Sequence, residues 1–352
     1  MKLVTIIGAR PQFVKASVIS REIRKRNNLI EEYIVHTGQH YDQNMSEIFF
    51  KELNIPKPFL NLNINGSGEE NMMSELREVL KNIKPAVVLV YGDTNSTLAA
   101  AIVSSKLNIP LIHVEGGERI YRRKNVPEEI NRVVTDHLSS KILTCTKRAL
   151  SYLDYEGLTP RSKFVGDPMF DLFKWSLKKY ESKKTFNLED IGLETNNFHL
   201  ATLHRVENTS SAETLFNLLG ALQRSELKVL LPIHPRVKKI IQEYSFYPGK
   251  NLIFIDPVGY FDFQNLILNC RKVFTDSGGV TREAYFAKKH CIIPMKNSWW
   301  SEVVDGGWAH EVGRNTENIV NFLNAEIPNS SLNLHSLKDS SCGVISLLIE
   351  EP

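Results

Sequence analysis

The chain has 352 residues, 42% of them hydrophobic and 24% charged, with a formal net charge of +3. That length exceeds the roughly 250–300 residues at which single cores stop growing, so two domains are expected, and the composition excludes a disordered or membrane-embedded chain. Lys and Arg are interspersed with Asp and Glu, which leaves counterion release no concentrated source and argues against a nucleic-acid partner.

The first apolar run, Leu3 to Ile7, ends at Gly8 and lacks the h-region and cleavage site of a signal peptide. No run reaches the roughly 18–20 apolar residues that span a bilayer, so a cytoplasmic protein without a membrane partner is expected. Further strand candidates follow at Tyr33 to His36, Ala86 to Tyr91, Leu111 to Val114 and Lys141 to Cys145. Between them, Pro11 to Arg26, Glu70 to Ile83 and Ser96 to Leu107 carry helical apolar spacing. The alternation restarts at Phe198 to Thr202 and continues through Lys228 to Leu231, Asn251 to Ile255, Lys272 to Thr275 and Cys291 to Pro294. Such a pattern predicts an α/β protein with two doubly wound, mostly parallel sheets and ligands at the carboxyl ends of the strands. The linker is placed near Pro168 to Lys184, giving a first domain over 1–168 and a second over 169–335. The segment 336–352 holds a closing helix around Gly343 to Glu351, packing back toward the first domain. Cys145, Cys270, Cys291 and Cys342 are far apart and unpaired in sequence, so they read as buried thiols, not as a zinc or disulfide framework.

Several strand ends carry chemistry. Gly8-Ala9-Arg10-Pro11-Gln12 leads into a helix bearing Lys15; it reads equally as an anion approach with two cations or as a plain turn, and it is not a dinucleotide fingerprint. Asp93 and Glu115 follow what should be neighbouring strands, where paired carboxylates suit acid/base work. Asp93 also fits a helix N-cap before Thr94. Glu128 and Glu129 follow Pro127 and, on pattern alone, look like ordinary helix-start acids. In the second half, His204 and Arg205 suit a phosphate or a proton transfer near neutral pH, whereas His234, close to Pro232 and next to Pro235, reads as structural. No His/Asp/Glu cluster has metal-ligand spacing. Thr275-Asp276-Ser277-Gly278-Gly279 stands between a strand and a helix carrying Glu283, a phosphate grip with an acid placed for ribose hydroxyls. Trp299 and Trp300 fit either stacking on a base or sugar, or interior packing.

In order along the chain, Gly8-Ala9-Arg10-Pro11, Thr37-Gly38-Gln39-His40, Gly92-Asp93-Thr94, His113-Val114-Glu115-x-Gly117, Pro127-Glu128-Glu129-x-Asn131-Arg132, His204-Arg205-x-Glu207-Asn208, His234-Pro235-Arg236 and Asp276-Ser277-Gly278-Gly279 resemble the non-hydrolysing UDP-N-acetylglucosamine 2-epimerases. The resemblance implies the GT-B fold, two Rossmann-like domains facing a central cleft, and usually a homodimer. It also implies anti elimination of UDP to a 2-acetamidoglucal and re-addition to the opposite face, with no cofactor or metal. By motif position Asp93, Glu115, Glu128 and His204 carry the acid/base work. Arg10, Lys15, Arg132, His204, Arg205, Ser277, Gly278, Gly279 and Glu283 hold the UDP-sugar, with Phe263 near the uracil.

The chain departs from the family where Glu-Ala-Gly-Leu-Arg becomes Glu115-Gly116-Gly117-Glu118-Arg119, followed by a run containing Arg122-Arg123-Lys124. That basic run reads as a solvated loop or as a partner for a uronate-bearing sugar. Thr-Glu-Arg-Pro-Glu, whose arginine contacts the nucleotide in the family, falls in Asn297-Ser298-Trp299-Trp300-Ser301-Glu302, without an arginine. Gly-Asn-Thr at the domain junction becomes Gly166-Asp167-Pro168. Substrate activation of the bacterial kind would draw on Gln39 and Arg205, but Tyr41 and Asp42 depart from that pattern. The alternatives are a hydrolysing 2-epimerase releasing UDP and N-acetylmannosamine, a GT-B glycosyltransferase needing an acceptor, and a sugar-nucleotide binder without turnover.

Overall fold

A computed structural model describes every residue except 27–28, 40–51, 65–67, 122–125, 184, 297, 329, 331–339 and 351–352. The chain divides into two compact units, Met1–Lys174 with Leu334–Pro352, and Trp175–Asn333.

The first unit is built on β1 (Lys2–Ile7), β2 (Glu31–His36), β3 (Leu60–Asn61), β4 (Val87–Tyr91), β5 (Leu111–Val114), β6 (Lys141–Thr144) and β7 (Ser162–Phe164). These form one sheet in the order β3-β2-β1-β4-β5-β6-β7, every pair parallel. A parallel sheet is covered on both faces, so its strands are apolar throughout and do not alternate. The β4 sequence Val-Val-Leu-Val-Tyr shows this, with every residue buried. The helix Glu69–Ile83 instead buries one stripe, Met72, Leu76, Val79, Leu80 and Ile83, at helical spacing. That stripe packs against Val4, Ile6, Val88 and Val90 of the sheet and Ala100 and Val103 of the helix Asn95–Lys106.

The second unit contains β8 (Phe198–Thr202), β9 (Lys228–Pro232), β10 (Leu252–Ile255), β11 (Lys272–Thr275), β12 (His290–Ile293) and β13 (Ala309–Glu311). Their order is β10-β9-β8-β11-β12-β13, again all parallel. Its core sets Leu215, Leu218, Leu219 and Leu222 of the helix Ala212–Gln223 against Ala201, Val229, Leu231 and Phe274. Each unit is thus a Rossmann-like doubly wound domain. In each sheet the chain order reverses once, between β1 and β4 and between β8 and β11, and ligands in such sheets bind beyond the strand ends at that reversal.

The sequence reading misses β3, β7 and β13, which at two or three residues are too short to show a period. It also reads 168–184 as a linker, where the structure has the helices Pro168–Leu177 and Tyr180–Lys183. The units part inside the first of these, and Met169, Leu172 and Phe173, buried at helical spacing, hold its start to the first unit. The helix Ser340–Glu350 packs on the helix Arg10–Lys25 and is tied down by Ser340 and Ser341, which donate to Asp171 at 2.9–3.0 Å. Cys145, Cys270 and Cys291 are buried, but Cys342 is exposed, on the outer side of that last helix, contrary to the expectation for all four. Among the described residues no helix is long and apolar enough to cross a membrane.

Candidate active site

At the reversal in the first sheet, β1 runs into Gly8 and β4 into Gly92-Asp93. The Gly8 turn proves to be a closed junction. The N–H groups of Gly8 and Ala9 donate to Gln12 Oε1 at 2.8 and 3.0 Å. Gln12 Nε2 in turn donates to Tyr91 O at 3.0 Å and Thr97 Oγ1 at 2.9 Å, tying β1 to β4. Glycine is required at position 8 because Thr37 and Ser96, hydrogen-bonded to each other at 2.8 Å, fill the space a Cβ would take. Arg10 opens the following helix, and its side chain lies outside the described residues.

Lys15, one turn further on, is not a solvated cation. It is buried, with Nζ 2.6 Å from Glu115 Oε2, and both side chains are 4% exposed. Arg132 Nη2 lies 2.7 Å from Asp93 Oδ2 and 3.6 Å from Glu115 Oε1. The order Lys15, Glu115, Arg132, Asp93 alternates in sign, so each buried charge faces an opposite one, as burial of ions demands. Asp93 is not the helix cap its position allowed. Thr94 is the N-cap, accepting from Thr97 N–H at 3.3 Å, and the Asp93 carboxylate is left to Arg132. Asn131 Nδ2 donates to Asp93 O at 2.9 Å and fixes the same loop. Glu115 has φ +67°, a left-handed conformation that disfavours a side chain and recurs at functional positions.

Glu128 does not join this cluster. It is exposed in the first turn of the helix Pro127–Leu138, while its neighbour Glu129 is buried and accepts from the N–H groups of Ile120 and Tyr121 at 2.9 and 2.8 Å. Beneath the cluster, both ring nitrogens of His113 face acceptors, Asp136 Oδ1 and Gly92 O, each at 2.7 Å. Burial alone would raise the Asp136 carboxyl, but His113 and Arg119 beside it hold it below the ordinary range. Arg119 also pairs with Glu156 through two 2.8 Å contacts, so it is committed to the fold, not to a ligand. Arg122, Arg123 and Lys124 lie outside the described residues.

At the reversal in the second sheet, β8 delivers His204 and Arg205 and β11 delivers Asp276. His204 Nδ1 lies 2.7 Å from Asp276 Oδ1, with the histidine side chain 45% exposed and the aspartate fully buried. Asp276 also accepts from the N–H of Arg205 at 3.0 Å and from Asn208 Nδ2 at 2.9 Å, and Arg205 Nε donates to Asp276 O at 2.7 Å. Burial would raise its carboxyl, but the hydrogen bonds from His204, Asn208 and Arg205 hold it low.

Ser277 is the N-cap of the helix Gly278–Phe286, accepting from Val280 N–H at 3.4 Å. Gly278 and Gly279 occupy the first two helical positions, whose N–H groups have no intrahelical partner and point where an anion binds. A Cβ on Gly278 would meet Trp300 Nε1 at 3.0 Å. Trp299 and Trp300 are both buried, and the Arg282 guanidinium lies 3.7 Å from the Trp300 ring centroid. One face of that indole is therefore taken by a cation and is not free for a base. Glu283, on the same helix, and Phe263, on the helix Tyr260–Asn269, are each 8% exposed. His234 is structural, capping the helix Pro235–Glu243 by accepting from Arg236 N–H at 3.3 Å.

Within the first unit, then, Lys15, Asp93, Glu115 and Arg132 come together and Glu128 does not. Within the second, His204 and Arg205 meet through Asp276, directly before Ser277, Gly278 and Gly279. Gln12, Asp136, Asn208 and Asp276 are the working residues that sequence reading did not single out. Gln12, Asn208 and Asp276 stood inside strand-end motifs without being given a role, and Asp136 had no signal. Among the described residues no group of three or more His, Cys, Asp or Glu could hold a metal.

The family model for UDP-N-acetylglucosamine 2-epimerase matches residues 21–340. A Methanococcus maripaludis protein described as a UDP-N-acetylglucosamine 2-epimerase homolog is 45% identical over 94% of each chain. A Pseudomonas aeruginosa UDP-2,3-diacetamido-2,3-dideoxy-D-glucuronate 2-epimerase is 42% identical over 91% of this chain and 90% of its own. The crystal structure of Methanocaldococcus jannaschii UDP-GlcNAc 2-epimerase, in complex with UDP-GlcNAc and UDP, aligns over 99% of this chain and 100% of its own, with a TM-score of 0.89 at 37% identity. By sequence, by fold and by the residues gathered at both sheet reversals, the chain belongs to the UDP-N-acetylglucosamine 2-epimerase family.

Proposed function

We propose that this enzyme interconverts UDP-N-acetylglucosamine and UDP-N-acetylmannosamine, or a close 2-acetamido UDP-sugar, without net hydrolysis. The observation that carries the reading is the Lys15, Glu115, Arg132 and Asp93 cluster, two carboxylates fixed at a sheet reversal by two buried cations. One carboxylate removes the C2 proton as the C1–O bond to UDP breaks, giving the 2-acetamidoglucal and free UDP; return of a proton to the other face of C2 and re-formation of the C1–O bond complete the inversion. His204 and the exposed Glu128 share the proton handling. The helix start at Ser277, Gly278 and Gly279 stabilises charge developing on the departing diphosphate, with Arg205 and Glu283 completing the grip and Phe263 near the base. Proton NMR of a reaction with UDP-N-acetylglucosamine tests this. A second, C2-inverted sugar still joined to UDP is expected; free N-acetylmannosamine with free UDP would make the enzyme a hydrolysing one.

A second reading concerns the sugar, and two observations favour it: the Arg122-Arg123-Lys124 run and the 42% identity to the diacetamidoglucuronate epimerase. On it, the preferred substrate carries a carboxylate at C6. Competition kinetics with the plain and the uronate UDP-sugars decide, and equal kcat/KM for the two removes this reading.

A further inference from the structure

The structure assigns Asp276 a positioning role: its carboxylate, held in place by Asn208 and through it by Arg314, fixes which ring nitrogen of His204 carries the proton. The inference rests on the reading of His204 as a proton carrier, and it follows from counting donors and acceptors.

Every neighbour of the Asp276 carboxylate is a donor. Oδ1 accepts the backbone N–H of His204 at 3.1 Å and faces His204 Nδ1 at 2.7 Å. Oδ2 accepts the N–H of Arg205 at 3.0 Å and the Asn208 amide nitrogen at 2.9 Å. An ionised carboxylate only accepts, so His204 Nδ1 must be the protonated nitrogen. Nε2, which makes no hydrogen bond among the described residues, then presents its lone pair outward from a half-exposed side chain. From that state it can take up a proton and return it without the ring turning.

The orientation of Asn208 is itself locked. Its amide could rotate by half a turn, but Arg314 Nε donates to Asn208 Oδ1 at 2.9 Å, which leaves only Nδ2 to face Asp276. Arg205 N–H and Asn208 Nδ2 are thus two donors that cannot be exchanged for acceptors. The His204 backbone N–H also reaches Oδ2, at 3.2 Å, so three donors converge on that side, and an amide at position 276 places its oxygen there and its NH2 against the His204 ring. In Asp276→Asn the ring has to accept at Nδ1 and carry its proton on Nε2, so the outward nitrogen changes from acceptor to donor. Neither the helix start nor the other charged groups need move.

The test is nitrogen NMR of the full-length protein labelled on histidine, at a pH where the ring is neutral, with the His204 signals assigned by their disappearance in His204→Gln. Wild type should show a protonated Nδ1 and a bare Nε2, and Asp276→Asn the reverse. Turnover of the UDP-sugar in Asp276→Asn should fall about 100-fold in kcat, the scale of one acid/base group, with KM little changed. Wild type carrying its proton on Nε2, or a substitution that leaves the tautomer as it was, overturns the inference. If Asp276→Asn does not fold, Asp276→Ala serves: with no acceptor left at Nδ1 the ring should show both tautomers, and a single unchanged one overturns the inference. The failure of the underlying reading looks different: His204→Ala would then turn over normally, whatever the NMR shows of the ring.

Discussion

Lys15 Nζ stands 2.6 Å from Glu115 Oε2, and both side chains are 4% exposed, so neither charge has water to fall back on. Breaking such a pair by neutralising one member leaves the other buried and uncompensated, which costs about 3 kcal/mol. Glu115→Gln should therefore lower stability by that amount and abolish turnover as well. Urea unfolding of the variant checks the first part. A midpoint equal to wild type would mean that Lys15 and Glu115 are hydrated and that the cluster is not preorganised.

Asp93 is a different case, because its side chain is 24% exposed although Arg132 pairs with it. Its neutralisation should cost about 1 kcal/mol or less in stability and about 100-fold or more in turnover. Steady-state rates beside a thermal melt separate the two effects. An Asp93→Asn enzyme with near-normal kcat would remove Asp93 from the acid/base set.

How legible this was follows from what each residue type can signal. The buried strands announced themselves, since a parallel sheet demands short unbroken apolar runs, and β4, β5, β8 and β11 sit within a residue of where periodicity puts them. β3 and β13 did not, being too short to carry a period. The carboxylates at strand ends could be read as candidates, but the choice between cap and catalyst at Asp93 needed the Thr94 hydroxyl to be seen in the cap position. Lys15 read equally as a cation for an anion or as part of a plain turn, and its partner Glu115 stands one hundred residues away, a pairing that no local pattern gives. Asp136 was invisible for the same reason, because its partners come from other elements, and Asn208 stood in a motif that gave no sign of its bond to Asp276.

The Gly278 position separates a phosphate grip from an ordinary glycine turn. Alanine is the better helix former by about 1 kcal/mol, so Gly278→Ala should leave stability within about that margin of wild type. Its methyl group would press on Trp300 Nε1, 3.0 Å away, and stand at the helix start where the diphosphate is to bind. Calorimetry should show UDP affinity reduced about 10-fold, the scale of one lost hydrogen bond to a charged group. Unchanged affinity would return the Gly-Gly pair to a structural turn.

His199 supplies a pH signature unrelated to catalysis. Burial, reinforced by the nearby Lys272 and Arg271, pushes its imidazole from 6.5 down to about 3. The native ring therefore stays neutral while the unfolded chain takes up a proton below pH 6.5, so stability is lost as pH falls from 6.5 toward 3, by up to about 1.4 kcal/mol for each pH unit. His199→Leu should flatten the stability curve between pH 6.5 and 4.5 relative to wild type. Parallel curves for the two proteins would show that His199 is protonated in the fold.

The central claim is that this chain breaks and remakes the C2–H bond of a UDP-sugar, and deuterium reports it most directly. Incubation with UDP-N-acetylglucosamine in deuterated water, followed by NMR and mass analysis of the recovered nucleotide sugar, should show deuterium at C2 with UDP still attached. Recovered UDP-sugar with only protium at C2, under conditions where UDP binds, would contradict the account.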